Sequence, residues 1–307
     1  MPVRPLSPEL AEKARLELNE DPKRIESDLQ HIRDWLDKQP HIRARRDDQW
    51  LIVFLRGCKF SLERVKAKLD LYYSLRTLAS EFYTITYDSN TFEDILKLGV
   101  TLTLPKLATP DSPRVSILRF GKYNPDIYKV YDIFSVSMLL QKIALYEDDA
   151  TVIAGTINIV DLEGVTMGHF LQMTPTLMKK LAVITQEALP VRLKSSYFVN
   201  TPPGFDTFFN TIKSLLNEKM RNRLYAHKNF EELSKVIPRA ILPVEYGGSG
   251  GTVDEIIDYW REKVQQYSSW LDEEKTFGTD EQKRPGPPKT AETLFGVDGS
   301  FRQLEFD

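Results

Sequence analysis

Cysteine is nearly absent from this chain: among 307 residues only Cys58 carries a thiol. An intrachain disulfide and a cysteine-built zinc site are thereby excluded. Histidine is also sparse. His31, His41, His169 and His227 have no carboxylate or second histidine at metal-binding helical spacing, so no metal is expected. No apolar run reaches the roughly 18 residues that a membrane-crossing helix needs. Cations are not in excess either, with 41 Lys plus Arg against 44 Asp plus Glu and a net charge of −3. General attraction to nucleic acid is therefore not expected, and any anion site must be a local patch. There is no G-x-S-x-G elbow and no P-loop. The glycines at 247–251 lack the G-K-[ST] ending of a phosphate loop and read as a flexible connector. The acidic pairs Asp148/Asp149 and Asp161/Glu163 are not placed across a cleft by anything in the sequence. Cys58, beside Arg56 and Lys59, is either an activated thiol or a buried bystander. No catalytic residue and no cofactor is expected, and the chain does not read as an enzyme.

What remains is ordinary for a protein with a real core: 41% apolar and 28% charged residues. The first 80 residues read as helices, beginning at Ser7-Pro8-Glu9, an N-cap, a proline at N1 and an acid in the first turn. Further helices are expected at about 22–38 and 47–55, from 61 with Leu62, Val65, Leu69 and Tyr72 at helical spacing, and at 91–98. Strands follow at 100–107 and 114–120, around the turn cluster Thr109-Pro110-Asp111-Ser112-Pro113. Next come a helix at 130–147, a strand at 151–160, a helix at 174–188, a strand at 196–200 and a last strand near 240–242. A capping box, Thr252-x-x-Glu255, opens a final helix reaching about residue 271. Helices alternating with nearly continuous apolar strands predict an α/β fold with a mostly parallel sheet. The expected organisation is a helical domain over 1–90, an α/β domain over 91–271 and a charged, Pro- and Gly-rich arm over 272–307. Phe295, Phe301, Leu304 and Phe306 suggest that this arm packs back on the body.

Three features carry functional information. Residues 201–225 read as one amphipathic helix. At about 100° per residue, Phe205, Phe208, Phe209, Ile212, Leu215 and Leu216 fall within an arc of about 120°, and Lys219 and Arg223 continue it. Such a surface suits both acyl chains and phosphates, although a core helix with a solvated last turn gives the same pattern. The helix at 130–147 places Ser137 among Ile133, Val136, Leu140 and Ala144. There Ser137 either bonds its own helix or offers a polar handle to an apolar ligand, with Gln141 one turn on. Arg192 and Lys194, with Lys219, Arg221 and Arg223, form a basic patch in an acidic protein, each worth about 1 kcal/mol beside an anionic membrane. Scattered surface charge is the alternative.

Several motifs carry a resemblance. Phe54-Leu55-Arg56-Gly57-Cys58-Lys59-Phe60 and Tyr72-Tyr73-Ser74-Leu75-Arg76 resemble the N-terminal helical part of CRAL-TRIO lipid-transfer proteins. Asp161-Leu162-Glu163-Gly164, Asn200-Thr201-Pro202 with Phe205, and Leu242-Pro243-x-Glu245-Tyr246-Gly247-Gly248 resemble their α/β lipid-binding part. The likeness runs over about 20–270, strongest to the α-tocopherol transfer protein and cellular retinaldehyde-binding protein branch, insect-type members in particular. It implies a sheet floor and helical walls around an apolar cavity closed by a gate helix at 203–225. Phe134, Ser137 and Gln141 would then line the cavity with Phe205, Phe208, Phe209 and Ile212 of the gate. Arg192, Lys194, Lys219 and Arg223 would contact phosphoinositide head groups. One departure is that Cys58 replaces the second arginine of the Phe-Leu-Arg-x-Arg motif. The expected protein is a monomeric cytosolic carrier that associates transiently with phosphoinositide-containing membranes. Its expected cargo is one tocopherol-, retinoid- or carotenoid-like molecule. Phospholipid exchange and a lipid-sensing scaffold are the alternatives.

Overall fold

Capping chemistry sets most helix starts where the sequence places them. In the computed structural model, which describes residues 2–227, 232–233 and 236–296, α1 (Pro8–Leu18) is capped by Ser7, whose hydroxyl accepts the Leu10 amide at 3.3 Å. Four elements follow: α2 (Ile25–Asp37), β1 (Ile42–Arg43), α3 (Asp48–Gly57) capped by Asp47, and α4 (Leu62–Leu78). Trp50, Phe54 and Tyr72 form the aromatic centre of this helical layer.

The chain then builds a mixed α/β layer. Its elements are α5 (Asn90–Lys97), β2 (Thr101–Thr103), β3 (Arg114–Arg119), α6 (Val130–Glu147), α7 (Asp149–Ile153), β4 (Thr156–Asp161), α8 (Met167–Gln172), α9 (Pro175–Val183), β5 (Leu193–Val199), α10 (Phe205–Ser214), α11 (Glu218–Arg221) and β6 (Leu224–Ala226). The sheet order is β2-β3-β4-β5-β6, with β2 antiparallel to β3 and every other pair parallel. This is the expected mostly parallel sheet, covered by helices and preceded by a helical region. Next come α12 (Val253–Gln266), opened by the Thr252/Glu255 capping box, and α13 (Ser268–Glu274); beyond them lie β7 (Gly278–Thr279) and α14 (Ala291–Phe295). No helix among the described residues is long and apolar enough to cross a membrane.

Several local expectations are corrected. The strand expected at 100–107 stops at Thr103, since Pro105 has no amide for the ladder. Residues 149–153 are helical rather than extended because the Asp148 carboxylate accepts the Ala150 and Thr151 amides at 3.0 and 3.2 Å. The strand expected near 240–242 is a 3-10 turn, Arg239–Ile241, between Pro238 and Pro243. The 247–251 loop is no loose connector: Gly248, Ser249 and Gly250 amides donate to Pro243, Arg239 and Leu242 carbonyls at 2.7–3.0 Å. The single helix expected over 201–225 breaks after Ser214. Asn217 caps α11 by accepting the Met220 amide at 3.0 Å, and 224–226 leave to pair with β5.

Residues 275–290, part of the expected linker or free arm, are strapped to the body. β7 pairs with β1, and Arg284 grips Asp70 through two bonds of 2.8 Å while also bonding Glu281. Phe295 is buried near Lys180, whereas Phe301, Leu304 and Phe306 lie outside the described residues. Glu274, buried, takes Arg45 at 3.0 Å, Arg76 at 2.8 Å and Lys142 at 3.2 Å. Burial pushes Lys142 down to about 8 despite this carboxylate. Arg56, also buried, joins the helical layer to the α/β layer through Glu20 (2.9 Å) and Asp149 (2.7 Å).

Removing Glu274 leaves one buried and two partly buried cations without their shared counter-charge. Glu274→Ala is expected to cost about 3–5 kcal/mol in denaturant unfolding. A second test is acid lability. The Glu281 carboxyl, against burial that would raise it, is held down to about 2 by Arg284 and the Lys289 amide, and Asp70 is likewise depressed. Folded values below unfolded ones give stability complete above about pH 4.5 and lost as pH falls toward 2. Urea midpoints should drop through that window, and drop less in Glu281→Gln.

Candidate functional site

Residues alternate across a strand, so register decides what the sheet offers on one face. Two rows result. Thr103, Ser116, Asn158 and Ser196 lie across β2 to β5, and Leu118, Val160 and Phe198 form the next row along β3 to β5. The apolar row floors a cavity of about 180 Å³, which no polar atom faces. Phe134 of α6, His169 and Phe170 of α8, Met173, and Phe208 and Ile212 of α10 close it. His169 can line a dry pocket because its ring nitrogens bond Thr166 and the Tyr123 carbonyl at 3.0 Å.

The polar row opens into a second cleft of about 520 Å³, which shares Met173 and Ile212 with the first. Thr156, Asn158 and Ser196 are its floor, and Gln141 of α6 overhangs it. Among the described residues the Gln141 and Asn158 amides have no hydrogen-bond partner, and the buried Thr156 hydroxyl has none either. The cleft mouth is basic. Arg192, Lys194, Lys219 and Arg223 line it, joined by Lys59, Arg64 and Lys68 from the helical layer, and no acidic side chain is among its described lining residues. Gly57 makes this junction possible: a Cβ there would sit 2.7 Å from the Pro190 carbonyl oxygen, so only glycine lets α3 end against the lead into β5. Burial first, then the charges of Arg223, Lys59, Arg64 and Arg192, pull the Lys219 ammonium below its usual range. That crowding is repulsion which a bound anion would relieve.

The gate residues divide their work. Phe205 and Phe209 pack on Phe198, at ring distances of 5.5 and 5.3 Å, and line neither cavity. Phe208 meets Phe170 at 5.4 Å and, with Ile212, forms the wall. Ser137 lines neither cavity; its oxygen accepts the Thr101 hydroxyl at 3.2 Å, which is neither option the sequence left open. Arg221 is exposed and outside the cleft. Cys58 is buried, and burial pushes its thiol up against the weaker pull of Lys68 and Arg64, so it is the bystander. The sequence reading missed Asn158, Thr156, Arg64 and Lys68. Asn158 inside an otherwise apolar strand was the available signal; the two cations gave none.

The three motifs of the α/β part meet at one carboxylate. Asp161, at the carboxyl end of β4, accepts Asn200 Nδ2 at 2.8 Å, the Glu163 amide at 3.0 Å and the Tyr246 hydroxyl at 2.6 Å. Burial and the Asp161 carboxylate raise Tyr246 well above the usual phenol range, keeping it a donor. Asn200 leads into Gly204, whose φ of +83° turns the chain into α10, so this knot holds the base of the gate. Hydrogen bonds to charged groups contribute about 1.5–3 kcal/mol. Tyr246→Phe is expected to lose that much in chemical unfolding.

The Pinta-like, UBA domain profile matches residues 21–87 and the CRAL/TRIO domain profile matches 104–248. A human protein, alpha-tocopherol transfer protein-like, is 32% identical over 252 residues, spanning 81% of this chain and 72% of its own. Rat clavesin-2 is 30% identical over 246 residues, covering 79% and 75%. The crystal structure of Sfh5 superposes with a TM-score of 0.47 at 15% identity, over 87% of this chain and 99% of that one. With the family's separated motifs brought together around Asp161 and this extent of shared sequence, the chain belongs to the CRAL/TRIO domain family of lipid-binding and lipid-transfer proteins.

Proposed function

We propose that this protein carries one small hydrophobic ligand, tocopherol-, retinoid- or carotenoid-like, and exchanges it at phosphoinositide-containing membranes. The observation that carries the reading is a dry pocket continuing along one sheet face into a basic cleft. Burying apolar surface at about 25 cal/mol per Å² supplies the affinity. Drug-sized ligands occupy about 300–1,000 Å³, so a pocket of about 180 Å³ takes part of a molecule and the cleft takes the rest. The ligand on this reading is an amphiphile, its tail against Phe134, Phe208 and Ile212 and its polar end near Gln141.

Release needs a state that a membrane favours. Arg192, Lys194, Lys219 and Arg223 would meet anionic head groups while α10 swings on its base at Gly204. Met167 (70% exposed) and Leu171 (73%) on α8, beside the Phe208 wall, would enter the apolar layer. The unpartnered Asn158 and Gln141 amides favour a second reading, exchange of a phospholipid whose ester linkages they would bind.

Two charges at about 1 kcal/mol each correspond to roughly 30-fold. Lys219→Ala/Arg223→Ala should slow transfer to anionic vesicles by about that factor and leave affinity in solution unchanged. Normal transfer would exclude the mechanism. Solvent extraction of the purified protein with mass spectrometry should return a prenyl or polyene compound; phospholipid alone would install the second reading. Ile212→Trp, which fills the dry pocket, should lower ligand occupancy in the same extract.

A further inference from the structure

Two carboxylates three residues apart in the N-terminal segment are used in opposite ways. Glu20 is sealed with Arg56, their side chains 6% and 1% exposed, as a permanent joint. Glu17, the penultimate residue of α1, is 37% exposed and pairs with two of the cations that line the basic cleft. Its Oε2 accepts both Arg192 NH2, at 2.7 Å, and Lys194 Nζ, at 3.1 Å. It is the carboxylate partner of both. Lys219 has no ion pair within 4 Å among the described residues, and Arg223 donates to the Leu193 carbonyl instead.

We propose that Glu17 is a built-in counter-anion: its carboxylate occupies a subsite for an anionic phosphate oxygen, and α1 latches the cleft until a multivalent phosphate displaces it. The inference rests on reading the cleft as a phosphate site. Besides the Glu17 pairs, α1 is tied to the body by the Lys13–Asp111 ion pair at 2.8 Å and by one apolar stripe. Its apolar stripe, Leu10, Ala14 and Leu18, packs on Ala150 and Ile153 of α7 as a small cluster apart from the two large ones. Arg192 stays in place when Glu17 leaves, because its NH1 also donates to the Ile153 carbonyl. A half-exposed pair is cheap to break. A phosphate ester bridging Arg192, Lys194, Lys219 and Arg223 makes several charge-assisted bonds where Glu17 makes two. α1 precedes both stretches that the family profiles match.

The test compares the full-length wild type, Glu17→Gln and Glu12→Gln, the last removing the same charge from the exposed side of α1. Each is titrated with phosphatidylcholine vesicles, with or without a few per cent phosphatidylinositol bisphosphate, and with soluble inositol trisphosphate. Glu17→Gln should bind the phosphoinositide vesicles about three- to fivefold more tightly than wild type, from the strength of half-exposed pairs. Glu12→Gln should not, and the gain should vanish in an Arg192→Ala/Lys194→Ala background. An equal gain with inositol trisphosphate assigns the subsite to the phosphates themselves; a gain on vesicles alone assigns it to the headgroup in a bilayer. No gain for Glu17→Gln, or one matched by Glu12→Gln, overturns the latch. If neither wild type nor Glu17→Gln binds any phosphate probe, the membrane reading falls and the latch with it.

Discussion

The Asp161 carboxylate is the constraint around which the lipid-binding layer is assembled. It lies where β4 ends and β5 hands the chain to the gate, and it accepts hydrogen bonds from the loop after each strand and from Tyr246 far along the chain. A buried carboxylate must be fully bonded or it is costly. Satisfying it therefore fixes three loops at once, at the carboxyl edge of a parallel sheet where ligand sites of this architecture lie. Residues that read as a family signature act here as a structural joint. Asp161, Asn200 and Tyr246 line neither cavity, while Leu162 beside them lines the dry pocket, so the joint sets where the cavity wall begins.

From that joint the functional surface follows by alternation. One sheet face presents a polar row and an apolar row two residues apart. The helical period along α6 sends Phe134 to the dry pocket and Gln141 to the cleft, seven residues and two turns away. The break in the gate after Ser214 lets α10 wall the pocket while α11 turns its cation toward the mouth. The basic mouth is completed from the other layer, by Lys59, Arg64 and Lys68, and this depends on the close approach at Gly57 and on the Arg56 joint.

Charge is handled in two grades throughout the molecule. Arg56 with Glu20 and Asp149, and Glu274 with its three cations, are buried networks that break only at high cost. The cations of the cleft are the reverse, crowded together and mostly lacking carboxylates. Rigid ion pairs dock the layers, and the unbalanced patch is left where an external anion can complete it.

Local patterns were sufficient for the capped helices, for the mostly parallel sheet and for the amphipathic stretch around Phe208 and Ile212. Those features rest on interactions within a few residues: Ser7 with Leu10, Thr252 with Glu255, side chains one helical turn apart. The errors fell where distant partners or competing caps decide, as at Asn217, at Asp148 and in the strap from 275 to 290, whose hold on Asp70 spans more than 200 residues. The sequence by itself determined the family, the class of fold and four cations of the cleft. Only tertiary structure decided that Ser137 turns to Thr101, that Asn158 faces the cleft, and that Glu17 sits on Arg192 and Lys194. Each of these depends on strand register or on the docking of one layer against another, and no local periodicity encodes either.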